Sequence, residues 1–477
     1  MKMNFLTSSR GRWPWQLLLV CLLMGTALVG CNSGQEAAPD GPIERQPVRG
    51  GPVLLREDIA LRRLTAVGGG AVRLELNPAD GALYYLKPLE GVFRLSLEAE
   101  SAPELVVRLA DLGVEGVPAG MTFGPDGALY LVLNRAPGPP STQATILRGQ
   151  PAGAGYDWQI LAQTEPYPAS GTNFDHLFTG IVLSPDGDWV YVSSGSRTDH
   201  GEIQTNAGAF PDTRETGLTS AILRLPADAT ELSLPDDQAF LEEQGWFYAD
   251  GTRNAYDLAF APNGDLFGVD NGPDADYPDE LNWLREGRHY GFPWRFGLYD
   301  NPQQFPDYDA DGDVYLSEDF VAVQRGTYRN DPSYPAAPGP FTDPIVNNGP
   351  AAAQYRGEDG QPADAAAEGG VLNSFTPHRS PLGLVFPTDA SLPADILGEG
   401  GAFGAFLLSW GSAGGDLSDI GQDLLLLQLT RGEDNYSAIV TQIARQFNRP
   451  IDAVLIGNRL YILEWDGDGN IWELTFD

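Results

Sequence analysis

Lysine is almost missing from this chain: of 477 residues only Lys2 and Lys87 carry an ammonium group. Positive charge is therefore arginine, and there is little of it. Lys and Arg number 29 against 65 Asp and Glu, for a formal net charge of −36. Such a chain repels nucleic acid and anionic lipid head groups and favours cations. Cysteine occurs only at Cys21 and Cys31, which excludes a disulfide framework, a thiolate metal site and a thiol nucleophile from the body of the protein. Histidine is limited to His176, His200, His289 and His378, so imidazole acid–base chemistry has few places to be. No long amphipathic helix is legible; residues 234–246 (LPDDQAFLEEQGW) predict a short one. No linker divides the chain after residue 52, which argues against two domains.

What is present begins with a leader. Lys2, Arg10 and Arg12 precede the apolar run LLLVCLLMGTALVG (17–30), which is short for a membrane span. Leu28-Val29-Gly30-Cys31 resembles the bacterial lipoprotein cleavage box, whose Cys becomes the lipidated first residue. The expectation is a signal peptide over 1–30, acylation of Cys31, a flexible tether over 31–52 and a globular body over 53–477. The protein would then be exported and lipid-anchored on the outer face of a membrane of the cell envelope.

In the body one pattern recurs: an apolar run, a Pro-Asp-Gly type turn, and a strand containing an aromatic residue. It reads LNPADGALYYL (76–86), FGPDGALYLVL (123–133), LSPDGDWVYVS (183–193) and FAPNGDLFGVD (260–270). AVLIGNRLYILEW (453–465) is a worn copy, and GLVFP (383–387) with GAFLLSW (404–410) is another candidate. Each is a hairpin signal. Recurrence with variable spacers predicts an all-β chain of radially repeated sheets, a six-bladed β-propeller with inter-blade insertions. Ligands of such folds sit where loops from several blades converge, so site residues should lie far apart in sequence.

The block 253–293 is the most informative: Arg253-Asn254, Pro262-Asn263-Gly264, Gly272-Pro273, Asp279-Glu280-Leu281-Asn282 and Tyr290-Gly291-Phe292-Pro293 follow one another. Their order resembles the soluble PQQ-dependent sugar dehydrogenases (the glucose/sorbosone dehydrogenase family), which are six-bladed propellers. The resemblance is strong over roughly 170–293 and weaker over 374–476. It implies oxidation of an aldose or related alcohol with pyrroloquinoline quinone (PQQ) and calcium, and a small-molecule sugar as partner rather than nucleic acid. It implies that His176 is the general base, that Arg253 and Asn254 hold the quinone oxygens, and that the carbonyls of Gly272 and Pro273 bind calcium, supported by Asp279 and Glu280. The chain also departs from the family. An Asp in a Gly-Asp step usually orients the histidine; here the step is Gly195-Ser196, with Asp199 a candidate replacement. No lysine follows Lys87 to grip the cofactor's carboxylates, leaving Arg379, Arg431, Arg445 and Arg449 in the later chain. These departures favour an alternative, a non-catalytic, calcium-stabilised binding propeller. His200, in the polar run SRTDHGE, is expected to be exposed.

DYDADGDVYLSE (307–318) adds a second calcium motif. Asp307, Asp309, Asp311, Asp313 and Glu318 occupy the ligand positions of an EF-hand loop, and Gly312 its sharp turn. The flanks are rich in helix breakers, so the expectation is a helix-free calcium clamp on an insertion over about 294–345, separate from the chemistry.

Overall fold

The computed structural model describes residues 50–97, 102–138, 140–153, 155–387, 391–398, 401–411 and 415–477. The leader, Cys31 and nearly all of the tether lie outside them.

The repeated turns form as their residues dictate. At Pro125-Asp126-Gly127 the Asp126 carboxylate accepts from the Ala128 N–H at 3.1 Å, and the Gly127 N–H donates to the Gly124 carbonyl at 2.9 Å. The same pair of bonds closes Pro185-Asp186-Gly187 and Pro262-Asn263-Gly264. All three glycines are left-handed, with φ between +78° and +88°, a region costly for residues with a Cβ.

Six sheets open with the strands Arg73–Leu76, Val117–Phe123, Phe178–Leu183, Ala255–Phe260, Pro381–Val385 and Pro450–Ile456, each paired antiparallel with the strand that follows it. These strands touch one another in that order, and the last touches the first. Each begins a mainly antiparallel sheet of three or more strands. The chain is thus an all-β, propeller-like ring with few helices. Its cores lie between neighbouring sheets; one is the aromatic cluster of Phe267, Phe386, Phe403 and Tyr436, whose ring centroids are 5.2–6.1 Å apart. Burying each such side chain contributes about 1.5–3 kcal/mol. The expected short helix is Gln238–Glu243, capped by Asp237, which accepts from the Phe240 N–H.

The ring closes where an early described strand pairs with the last one. The sheet of Pro450–Ile456, Arg459–Glu464 and Asn470–Phe476 takes Ile59–Ala66 as its outermost strand. Arg62 clamps that seam with two parallel bonds to Glu473, at 2.9 and 2.6 Å. Pairing removes an open strand edge and ties the beginning of the described chain to its end.

The direction of the inner strands separates two ends of the ring. His176, Arg253-Asn254, Arg379 and Arg449 all sit just before an inner strand. Further along the same strands, residues from the middle to the opposite end line a cavity of about 340 Å³ that includes Glu75, Asp257 and Asp452. Segment 294–345 folds back over the His176 end through short pieces, among them Arg295–Phe296 paired with Tyr299–Asp300, and the helix Val321–Gln324.

Candidate active site

His176 lies two residues before Phe178–Leu183. Its N–H donates to the Ser196 carbonyl at 2.7 Å, and its Nδ1 lies 3.2 Å from the Ser196 hydroxyl. Gly195 permits this approach, since a Cβ there would stand 2.4 Å from the His176 Cβ. Desolvation, and then the positive charge of Arg253, push the imidazole down to about 3, so it is neutral at physiological pH.

Arg253 is buried beside it. Its Nη2 donates to Asp199 Oδ1 at 2.7 Å, its Nε to the Asp199 carbonyl at 2.7 Å and its Nη1 to the Asn271 carbonyl at 3.2 Å. One N–H remains on each terminal nitrogen. Asp270 receives the backbone N–H groups of Arg253 and Asn254, at 2.9 and 2.5 Å. Among the described residues the Asn254 side-chain amide makes no hydrogen bond. Asp199 therefore serves the arginine, while Ser196 holds the histidine. Burial alone would raise the Asp199 carboxyl, but Arg253 and His200 hold it well below the usual range.

His200 corrects the expectation of an exposed loop residue. It is fully buried, with Nδ1 2.8 Å from Asp199 Oδ2 and its ring stacked on Tyr328 at 3.7 Å. A polar run predicts solvent only when its partners are nearby in sequence; here Tyr328 arrives from the insertion.

Gly272 joins the same end. Its N–H donates to Asp279 Oδ1 at 2.7 Å, and Asp279 Oδ2 accepts from the Ser380 N–H at 2.8 Å, tying the fourth sheet to the fifth. The Gly272 carbonyl accepts no hydrogen bond among the described residues, whereas the Pro273 carbonyl accepts from the Ala275 N–H at 2.8 Å. Beneath Gly272 is a small cavity of about 10 Å³, lined by Arg253, Asp270, Asn271 and Glu280 among others. Asn271 Oδ1 is buried with no partner. Desolvation raises Asp270 to about 6, and desolvation with the neighbouring Asp270 charge raises Glu280 to about 8. The open Gly272 carbonyl, Asn271 Oδ1 and the crowded carboxyls of Asp270 and Glu280 are oxygen donors of the kind a hard cation such as calcium takes, and Arg253 and Arg295 line the same cavity beside them.

The EF-like stretch is arranged differently from a closed clamp. Asp309 caps the turn Ala310–Gly312, and Asp313 accepts from the Tyr308 hydroxyl at 2.8 Å and the Tyr315 N–H at 2.9 Å. Among the described residues no three His, Cys, Asp or Glu side chains converge as a metal-holding group, Asp307, Asp311 and Glu318 included. Nor is the stretch remote from the site. The Tyr315 carbonyl accepts from the Asp276 N–H at 2.7 Å, and its ring stacks on Tyr277 at 5.2 Å. Asp276 in turn holds His378 Nε2 at 3.0 Å and Arg356, and Phe320 lies 4.6 Å from the His378 ring.

The later-chain arginines are mostly committed. Arg379 is fully buried against Asp423, at 2.5 Å, and Asp419. Arg431 pairs with Asp265 at the other end of the ring, and Arg445 sits exposed on the outer strand Tyr436–Arg445. Arg449 lies over Trp410 at 5.0 Å. Sequence reasoning missed the insertion's contribution: Phe320, Tyr328 and the exposed Arg325, whose guanidinium is 5.6 Å from the Phe174 ring, two residues before His176. Their only signal was the position of the insertion after the Tyr-Gly-Phe-Pro turn.

Comparison with known proteins follows the same lines. The family model described as Glucose / Sorbosone dehydrogenase matches residues 80–314. Quinoprotein glucose dehydrogenase B of Acinetobacter calcoaceticus is 38% identical over 141 residues, which are 27% of this chain and 28% of that protein. Among solved structures, the PQQ domain of a pyranose dehydrogenase from Coprinopsis cinerea superposes with a TM-score of 0.56 at 13% identity, covering 90% of this chain and 98% of that one. The soluble aldose sugar dehydrogenase of Escherichia coli gives 0.53 at 14% identity, covering 88% of this chain and all (100%) of that one. At such identities the structures speak for the fold. The sequence matches carry the resemblance to the sugar-oxidising oxidoreductases.

Proposed function

We propose that this chain, whose residues 80–314 match the glucose/sorbosone dehydrogenase pattern, oxidises an aldose or related alcohol with PQQ. The observation that carries this reading is the meeting of a neutral His176 with Arg253, Asn254 and Gly272 at one end of the ring. His176 would remove the proton of the sugar C1 hydroxyl. The free N–H groups of Arg253 and the amide of Asn254 would hold the quinone oxygens and stabilise charge developing there. Bound PQQ supplies the hydride acceptor. The carbonyls of Gly272 and Pro273 would hold calcium, with Asn271, Asp279 and Glu280 around it. We read the six sheets as six blades, and Cys31 as a lipid anchor that keeps the enzyme at the outer face of an envelope membrane, where electrons pass onward.

Reconstitution tests the reading. Purified protein with PQQ and calcium should show aldose-dependent changes in quinone absorbance, and His176→Asn should abolish them. Absence of PQQ binding overturns the proposal. Labelling cells with a radioactive fatty acid should mark the wild type and not Cys31→Ser.

One observation favours the second reading, a non-catalytic, calcium-stabilised binding propeller. Arg379 is closed off by Asp419 and Asp423, and no lysine follows Lys87, so the later blades offer the cofactor's carboxylates little grip. Saturable calcium binding with no PQQ binding would select it.

A further inference from the structure

The hydroxyl of Ser196 has one proton, and the structure places it. Ser196 is completely buried, and its Oγ donates to the Thr198 carbonyl at 2.7 Å. A carbonyl can only accept, so the hydroxyl proton is committed there. Its lone pairs are what remain to face His176 Nδ1, 3.2 Å away. A lone pair on Nδ1 would meet a lone pair on oxygen. We infer that Ser196 is the positioning residue of this site: it holds neutral His176 with its proton on Nδ1 and its lone pair on Nε2.

The role of the lone pair rests on the reading above, in which Nε2 accepts the substrate proton. A carboxylate behind a histidine performs two tasks together. It selects the tautomer and also stabilises the imidazolium. The Ser196 hydroxyl selects the tautomer and adds no charge. Compensation of an imidazolium here is weak: the Asp199 charge favours it from a distance, but the side-chain oxygens of Asp199 are taken by Arg253, His200 and the Asp274 N–H, and burial and the Arg253 cation outweigh it. The base is therefore kept neutral into acidic solution, and a proton taken up at Nε2 leaves readily. In the proposed reaction the hydroxyl proton would pass through Nε2 to solvent, and bound PQQ would take the hydride.

The test does not depend on the cofactor. In uniformly 15N-labelled protein without PQQ, long-range 1H–15N spectra should show His176 Nδ1 protonated and Nε2 unprotonated, unchanged from pH 5 to pH 8. A protonated Nε2, or titration to imidazolium within that range, overturns the inference. Ser196→Ala should give a mixture of tautomers; an unmixed Nδ1–H form in that variant also overturns it. Ser196→Asp keeps the acceptor and adds the charge. It should move the His176 titration upward by at least about one pH unit, a tenfold change in proton affinity, and an unmoved titration counts against the inference. Loss of PQQ turnover with these spectra intact would sink the proposed reaction and leave the tautomer assignment standing.

Discussion

Asp199 shows how far a single residue can be read. Its spacing from Gly195-Ser196 makes it a candidate partner of His176, yet its carboxylate binds Arg253 Nη2 and His200 Nδ1, both from buried positions. Removing one member of a buried, hydrogen-bonded charge pair leaves the other uncompensated and costs about 3–5 kcal/mol. Asp199→Ala should lower stability by that order in chemical denaturation, and it should loosen Arg253 from Asn271. A variant as stable as the wild type would mean that water or another group replaces the carboxylate. The residues of the site were legible as types: His176, Arg253, Asn254 and Gly272 stand where the motif puts them, and the structure brings them to one end. Their partners were not legible, because Ser196 and Asp199 exchange roles through a difference in side-chain reach that no spacing records.

The insertion over 294–345 is placed by contacts from other sheets, unlike the hairpins beside it. Its hairpin neighbours were readable because turn chemistry is local: the turns at Pro125-Asp126-Gly127, Pro185-Asp186-Gly187 and Pro262-Asn263-Gly264 make the same two bonds. The insertion has local turns of its own, but its placement follows no local rule. Tyr315, Phe320 and Tyr328 take positions set by rings and carboxylates from other sheets, at Tyr277, His378 and His200. The stretch Asp307 to Glu318 therefore adjoins the site, and anything that reorganises it is felt at Asp276 through the Tyr315 carbonyl. If calcium gathers the carboxylates of 307–318, the ion should protect this segment from limited proteolysis, and a chelator should remove the protection. Glu318→Gln should lose it as well, while calcium binding near Gly272 persists. Equal cleavage with and without calcium in the wild type would leave the motif without an ion. Arg325 belongs to this element too. It is an exposed cation beside Phe174 in a strongly acidic chain, and Arg325→Ala should weaken PQQ binding roughly tenfold in a direct titration if it meets an anionic part of the cofactor.

At the scale of the molecule, the ring has two ends of different character, and the end away from His176 makes a prediction of its own. Glu75, Asp257 and Asp452 reach the cavity from three different inner strands. The nearest cation, Arg73, lies over the Tyr256 ring at 4.0 Å and donates to the Tyr256 carbonyl at 2.9 Å, with its Nη1 buried and unpartnered. One arginine does not balance three carboxyls. Desolvation, and then the Asp257 charge, raise Asp452 to about 7, and burial likewise raises Glu75 and Asp257. In the unfolded chain Asp452 would titrate near its ordinary 3.8. Between those values the folded protein holds the proton more tightly than the unfolded one, so this group costs stability progressively as pH rises from about 4 towards 7. Asp452 also accepts the backbone N–H groups of Leu74 and Ala453, both at 2.8 Å, and an asparagine can keep one of these bonds while shedding the charge. Asp452→Asn should therefore melt below the wild type at pH 4.5 and regain ground as pH rises to 8, its curve of melting temperature against pH being the flatter of the two. Parallel curves would mean that the cluster carries no net charge over this range, through a bound cation or shared protons. A calcium-dependent offset between the curves would tell those two apart.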